Sequence, residues 1–220
     1  MPLQDAWQHI QSLALRLSTE FQDAVFIGGV AVYYHAARLD SRIAESSHDG
    51  DLYLSLLGKS TMRDRYEMQR NERLGKDSVL IEGEDFDVYV ERQHSLAVPY
   101  SDVIAYAETI AGVRVAALEH LLILKLDAAL NRRGSGKGEK DERDITRILA
   151  LLDAPKPVLL RPFVSAKRRE MLDAVIRRRD IFTRMGLNDH EASRLRNVVA
   201  ANALAVFSDD ESSEETHDGV

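Results

Sequence analysis

The sequence predicts an α/β (α+β) fold, with a small mixed sheet flanked by helices and followed by a C-terminal helical region. Three observations predict it. Short β-rich runs at 24–27, 48–56, 78–81, 85–90 and 113–116 alternate with stretches of helical periodicity. The segment Leu118–Leu130 spreads apolar residues nearly all around a helix, which marks a buried central helix rather than a surface one. Finally, 220 residues at 45% hydrophobic content are enough for one substantial core, or for a core domain with a small helical appendage.

Taken in order, residues 5–18 place Ile10, Leu13, Ala14 and Leu17 at three- and four-residue spacings, which predicts an amphipathic helix. Ala24–Ile27 reads as a short strand running into Gly28-Gly29, and Val30–Ala37 as the start of a helix. A glycine pair at such a turn has two explanations: a backbone that needs positive φ, or one that must approach an anion closely at a helix N-terminus. His35 and His48 each read, taken alone, as structural histidines, with a place near a site as the alternative. Residues 41–47 read as a polar loop, Thr61–Gln69 as a helix capped by Ser60, and Ser78–Val90 as a hairpin turning at Glu82-Gly83-Glu84. A short helix opens at Pro99 and Ser101, and Val113–Ala116 is a strand. After the central helix, the glycine-rich 132–139 reads as a basic flexible loop, and a further helix begins at Lys140. The GSGKG run lacks the spacing of a phosphate-binding P-loop. Pro155 and Pro157 mark a linker, beyond which 165–184 and 189–207 read as two helices. The expected organisation is a domain over 1–153, a helical region over 154–207 and an acidic disordered tail over 208–220.

Charge is unevenly placed. The formal net charge is −7, yet the last thirteen residues contain six acids and no Lys or Arg, so the remainder is close to neutral. Residues 161–200 hold ten Lys and Arg against five acids, which fits either a basic surface or a solvated helix face. No cysteine is present, which excludes disulfides, thiolate catalysis and cysteine zinc sites. No run of 18 apolar residues occurs, and the first ten residues lack the pattern of a signal peptide, so the expectation is a cytoplasmic protein with no membrane association.

The chemistry concentrates in two strands. In His48–Leu56, Asp49, Asp51 and Tyr53 share one face while Leu52, Leu54 and Leu56 share the other. In Asp85–Val90 the same alternation sets Asp85 and Asp87 opposite Phe86, Val88 and Val90. If these strands are neighbours, carboxylates converge, and each pair about 4 Å apart repels by roughly 4 kcal/mol at an effective dielectric near 20. A divalent cation bound through oxygen is one explanation, and an ordinary turn entering an edge strand, with Asp49 and Asp51 as its polar residues, is the other. In the central helix, Lys125 must pair with a carboxylate, snorkel to water, or face a polar cavity.

Gly28-Gly29, Asp49-x-Asp51 and Asp87, in that order, resemble the signature of the nucleotidyltransferase superfamily related to DNA polymerase β. Leu121–Ala128, Arg132-Arg133 and Lys140–Asp144 look like the corresponding segment of its AbiEii-type branch, the nucleotidyltransferase toxins of bacterial toxin–antitoxin and abortive-infection systems. The resemblance spans residues 24–152. It departs at Val30, where Ser or Thr commonly follows the glycines, and at Glu45, where an arginine usually precedes the first aspartate.

The resemblance implies that Asp49, Asp51 and Asp87 hold Mg²⁺ or Mn²⁺, with Asp87 also orienting or deprotonating the attacking hydroxyl. It implies phosphate contacts from Gly28, Gly29 and Lys125, and places Lys140 and Asp144 near the nucleotide or acceptor. The implied reaction transfers NMP from an NTP such as ATP to an RNA (tRNA) end or a protein hydroxyl, with an antitoxin as partner. A small-molecule adenylyltransferase and a non-catalytic nucleotide- or RNA-binding module are the alternatives.

Overall fold

The computed structural model describes residues 3–47, 50–71 and 75–207, so the expected tail at 208–220 lies outside the described residues. The elements in chain order are α1 (Leu3–Glu20), β1 (Val25–Phe26), α2 (Gly29–Leu39), β2 (Gly50–Leu54), α3 (Leu56–Arg63), β3 (Met68–Asn71), β4 (Lys76–Ile81) and β5 (Glu84–Val90). They continue with α4 (Tyr100–Ala105), β6 (Glu108–Ile110), β7 (Val113–Val115), α5 (Leu118–Asn131) and α6 (Gly136–Leu151). The chain then closes with α7 (Pro157–Leu160), α8 (Ala166–Ile176), α9 (Asp180–Arg184) and α10 (Asp189–Val206).

Among the described residues the strands form one seven-stranded mixed sheet in the order β3-β4-β5-β2-β1-β7-β6. The pairs β2–β5 and β1–β7 are parallel and the others antiparallel. Hairpin β4–β5 turns at Glu82 (φ 52°) and Gly83 (φ 89°), the two positive angles that a tight hairpin matched to strand twist requires. Alternation then fixes the faces: Leu52, Leu54, Phe86, Val88 and Val90 are buried in the core, while Asp51, Asp87 and Tyr89 stand on the opposite side.

Helix α5 is the centre of the helical side. Leu118, Leu121, Leu122, Ile123, Leu126 and Ala129 are all buried, as the all-round apolar pattern predicts. Helix α6 packs along α5 through Ile145, Ile148 and Leu149, and α8 and α10 pack against α5 and α6 in turn. Three arginines of the basic stretch after residue 161 serve this docking: Arg168 meets Asp127 of α5 at 2.8 Å, Arg184 meets Glu139 of α6 at 2.5 Å, and Arg178 meets Glu142. No helix of the described residues is long and apolar enough to cross a membrane.

Several expected boundaries are corrected. The helix expected over Thr61–Gln69 runs instead over Leu56–Arg63, because the Ser55 hydroxyl accepts from the Gly58 amide at 2.9 Å and caps it there. Leu56 therefore belongs to this helix and not to the strand, and Met68–Asn71 form an edge strand against β4. The glycine-rich 132–139 is not an extended loop. Ser135 accepts from the Gly138 amide at 3.1 Å, and α6 already begins at Gly136. A side chain at Gly138 would collide with the Arg132 carbonyl. The single helix expected over 165–184 breaks after Ile176, and Arg178 folds back on Asp180 with Nε 3.1 Å from Oδ1.

Truncating a core residue of α5 is expected to cost far more than truncating an exposed leucine of α3. Leu122→Ala should lower the unfolding free energy by about 2–5 kcal/mol. Leu57→Ala, at a side chain 77% exposed, should stay within about 0.5 kcal/mol of wild type. Urea denaturation of the two variants measures the contrast.

Candidate active site

The sheet register puts the carboxylates together. Asp51 of β2 is the direct partner of Asp87 on the parallel neighbour β5, and both project from the face opposite the core. Asp49 and His48 lie outside the described residues. Asp51 makes no hydrogen bond or ion pair with any described side chain, whereas Asp87 is held by the ammonium of Lys76 from β4. Burial pushes the Asp51 carboxyl up from its ordinary range and Asp87 adds to the shift, against the pull of Lys125, Lys76 and Arg132.

The glycine pair serves close approach. Gly28 has φ −104°, and Gly29 is the first residue of α2, so neither needs the left-handed region. A side chain at Gly28 would occupy the position of the Asp51 carboxylate. One at Gly29 would stand 2.5 Å from the Ser47 hydroxyl and 3.5 Å from the Lys140 ammonium. The 11-residue α2 thus presents its N-terminus to this cluster with no side chain in between, the arrangement that favours an anion.

Lys125 is buried, and its fate is pairing combined with a cavity. Its Nζ lies 3.0 Å from Asp141 Oδ1 and 2.7 Å from Asp144 Oδ2, both on α6. Burial by itself would lower its pKa, but Asp144 and Asp141 outweigh burial and hold it above the usual lysine range. Burial would likewise raise Asp144, yet Lys125, Arg147 and Lys140 hold that carboxyl below its ordinary value. Arg132 lies 3.3 Å from the other Asp141 oxygen, and Arg147 lies 3.2 Å from Asp144. Arg147 also binds the Ile43 carbonyl at 2.9 Å and the Glu45 carboxylate. An acid at position 45 is thereby explained as the partner of an arginine that α6 supplies. Lys140 donates to the Ser47 hydroxyl at 3.0 Å.

Two joined cavities meet at Asp51, Lys125, Arg132 and Asp141. One, about 230 Å³, extends over Leu96, Ala97, Leu124, Ala128 and Asn131 and is half apolar. The other, about 50 Å³, is further bordered by Gly29, Ser47, Asp87, Lys137 and Lys140, so that Lys125, Arg132, Lys137 and Lys140 face the carboxylates of Asp51, Asp87 and Asp141 across it. Of the residues predicted from sequence, Gly28, Gly29, Asp51, Asp87, Lys125 and Lys140 line one or both. Asp144 lines neither and lies buried behind Lys125. His35 is a buried structural residue, its Nε2 2.9 Å from the Ala116 carbonyl.

The donor chemistry suits a hard divalent cation: two carboxylates in register, one of them unpaired, beside backbone that a Cβ would obstruct. Among the described residues no group of three or more His, Cys, Asp or Glu side chains gathers as a ligand set. Lys76, Arg132, Asp141 and Arg147 carry no role in the sequence reading. Lys76 had a usable signal, because it lies two residues from Ser78, the hairpin partner of Asp87, and so on the same face.

No protein-family model matches the chain, and no curated protein matches it. Solved structures do. An antigenic nucleotidyltransferase-like protein from Paracoccidioides brasiliensis is similar with a TM-score of 0.52 at 16% identity, over 82% of this chain and 92% of that one. JHP933 from Helicobacter pylori aligns over 92% of this chain and 91% of its own at 12% identity, with a TM-score of 0.46. The first likeness is one of fold, and the fold of this chain is nucleotidyltransferase-like.

Because Asp144 is ionised more readily in the folded chain, its contribution to stability is complete above the unfolded carboxyl pKa of about 4 and is lost as the pH falls through the lower folded value. Asp144→Asn should therefore cost about 3–5 kcal/mol at pH 7, the scale of a broken buried pair. The difference from wild type should narrow as the pH drops below about 4. Thermal melts across pH 3–8 check both parts.

Proposed function

We propose that this protein is a metal-dependent nucleotidyltransferase that transfers NMP from an NTP to an RNA (tRNA) end or a protein hydroxyl. The observation that carries the reading is the in-register pair Asp51 and Asp87 beside the α2 N-terminus, with Asp51 making no ion pair among the described residues and facing cavities that Lys125, Arg132, Lys137 and Lys140 also border. The nucleotidyltransferase-like fold supports it.

Asp51 and Asp87, together with Asp49, are the residues that would hold Mg²⁺ or Mn²⁺, which supplies neutralisation of the polyphosphate charge and of the leaving pyrophosphate. The chain's own residues do the rest. The α2 N-terminus at Gly28-Gly29 donates to phosphate oxygens, and Lys140, Arg132 and Lys137 add positive charge at the same end. Leu96, Ala97, Leu124 and Ala128 cover the nucleoside, with Asn131 available to its polar edge. Lys125, kept charged by α6, balances Asp51 and contacts the phosphates. Asp87 accepts the proton of the acceptor hydroxyl. The acceptor oxygen then bonds to the α-phosphorus as the bond from that phosphorus to the bridging oxygen breaks, and the electron pair leaves with pyrophosphate. Asp144 acts from behind by fixing Lys125.

The biological setting we favour is that of an AbiEii-type toxin opposed by an antitoxin. This rests on the Leu121–Asp144 segment, in which the structure pairs Lys125 with both Asp141 and Asp144.

The test is incubation with each α-³²P-labelled NTP, Mg²⁺ and total tRNA or cell lysate. Label should appear on RNA or protein with the wild type, disappear with the Asp49→Ala, Asp51→Ala double variant, and fall by about 10²–10⁴-fold with Asp87→Asn. Nucleotide or RNA binding without label from any NTP would instead identify a non-catalytic binding module. Label on a small molecule would identify an adenylyltransferase of that class.

A further inference from the structure

We infer that Lys76 is a built-in competitor for the metal site: its ammonium occupies the Asp87 carboxylate in the empty protein and must be displaced when a divalent cation binds. The inference rests on the reading of Asp51 and Asp87 as cation ligands and goes beyond it by assigning a residue that controls how tightly the cation is held.

Three observations carry it. First, the contact is direct: Lys76 Nζ is hydrogen-bonded to Asp87 Oδ2, with both side chains more than four-fifths buried. Second, it is exclusive. Among the described residues no other cation forms an ion pair with Asp51 or Asp87, and Lys76 forms its ion pair with Asp87. The other buried ammonium of the site, Lys125, is held by Asp141 and Asp144. Third, the contact is placed by the sheet. Lys76 lies on β4 two residues from Ser78, which pairs with Asp87, so strand pairing and not a mobile loop brings the ammonium to the carboxylate. Its own partner across β3 is Asn71, on the edge strand.

The consequence follows from charge. A dication entering beside Asp51 and Asp87 meets an ammonium already in contact with one of its two described ligands, and a partly buried like-charge contact is not screened as a surface one would be. Binding must therefore move Lys76 off Asp87, and the free energy of the ion pair is subtracted from that of the metal. A site of this kind stays neutralised when empty and fills only when the cation concentration is high, or when a polyphosphate arrives with the cation and takes up the released ammonium's charge.

The experiment is titration of Mn²⁺ into the nucleotide-free full chain, followed by electron paramagnetic resonance of the free ion, for wild type, Lys76→Met, Lys76→Gln and Lys76→Arg. Circular dichroism melts confirm that each variant is folded. Both neutral variants should bind Mn²⁺ more tightly than wild type by about tenfold, the scale of one partly buried charge contact, while Lys76→Arg stays near wild type. Unchanged or weaker Mn²⁺ binding by a folded neutral variant would overturn the inference. Asp51→Asn and Asp87→Asn are the controls for the reading beneath it and should abolish the binding. If Mn²⁺ binds both of them as it binds the wild type, the metal reading itself fails, and the role of Lys76 falls with it.

Discussion

A lysine inside an apolar helix cannot remain charged unless carboxylates come to it, and in this chain the positions of at least three elements follow from how Lys125 is satisfied. An unpaired ammonium in that setting costs several kcal/mol even after relaxation. Asp141 and Asp144 answer it from one face of α6, three residues apart and therefore neighbours on the helix surface. Because they flank the same ammonium, α6 is held against α5 at one depth. That depth delivers Lys140 to Ser47 and Arg147 to Glu45 and the Ile43 carbonyl. The approach to β2 is thus gripped from α6, and β2 carries Asp51.

The same arrangement explains why Asp51 has no ion-pair partner among the described residues although a lysine is near. Two carboxylates already surround Lys125, so Asp51 feels its charge at longer range without contact. Asp87, its neighbour in register, repels it, and burial removes water that would otherwise screen both. A carboxylate held in this way gains most from a positive charge that arrives with a ligand. The glycine pair completes the geometry: α2 starts against Asp51 only because Gly28 has no side chain to place there.

Much of this was legible in the residues. Alternation alone put Asp51 and Asp87 on the non-core faces of their strands, and the Glu82-Gly83 turn announced the β4–β5 hairpin. The all-round leucine pattern of α5 isolated Lys125 as a residue needing an explanation. What the residues could not convey was adjacency. That β2 lies beside β5, across a crossover of three elements, is a property of topology, and without it the two aspartates are merely two polar strand positions. The helix starts misled for a local reason. Ser55 and Ser60 are both competent N-caps, and only the end of β2 decides in favour of the first. Ser135 was obscured by its glycines, which read as a loop until Gly138 is seen tucked under the Arg132 carbonyl. Arg147 gave no signal because its partner Glu45 is 102 residues away.

The two cations nearest the carboxylates therefore play unlike parts, and their surroundings decide which. Lys125 comes from the core side and is enclosed by acids of α6. Lys76 comes from a strand near the sheet edge and pairs with Asp87, the pair that the inference above sets against a competing cation. A protein that kept carboxylates together only for structural reasons would be more stable with both of them permanently paired. Among the described residues one is paired by Lys76 and the other makes no ion pair, and on the reading proposed above that asymmetry suits a site that exchanges its counterion.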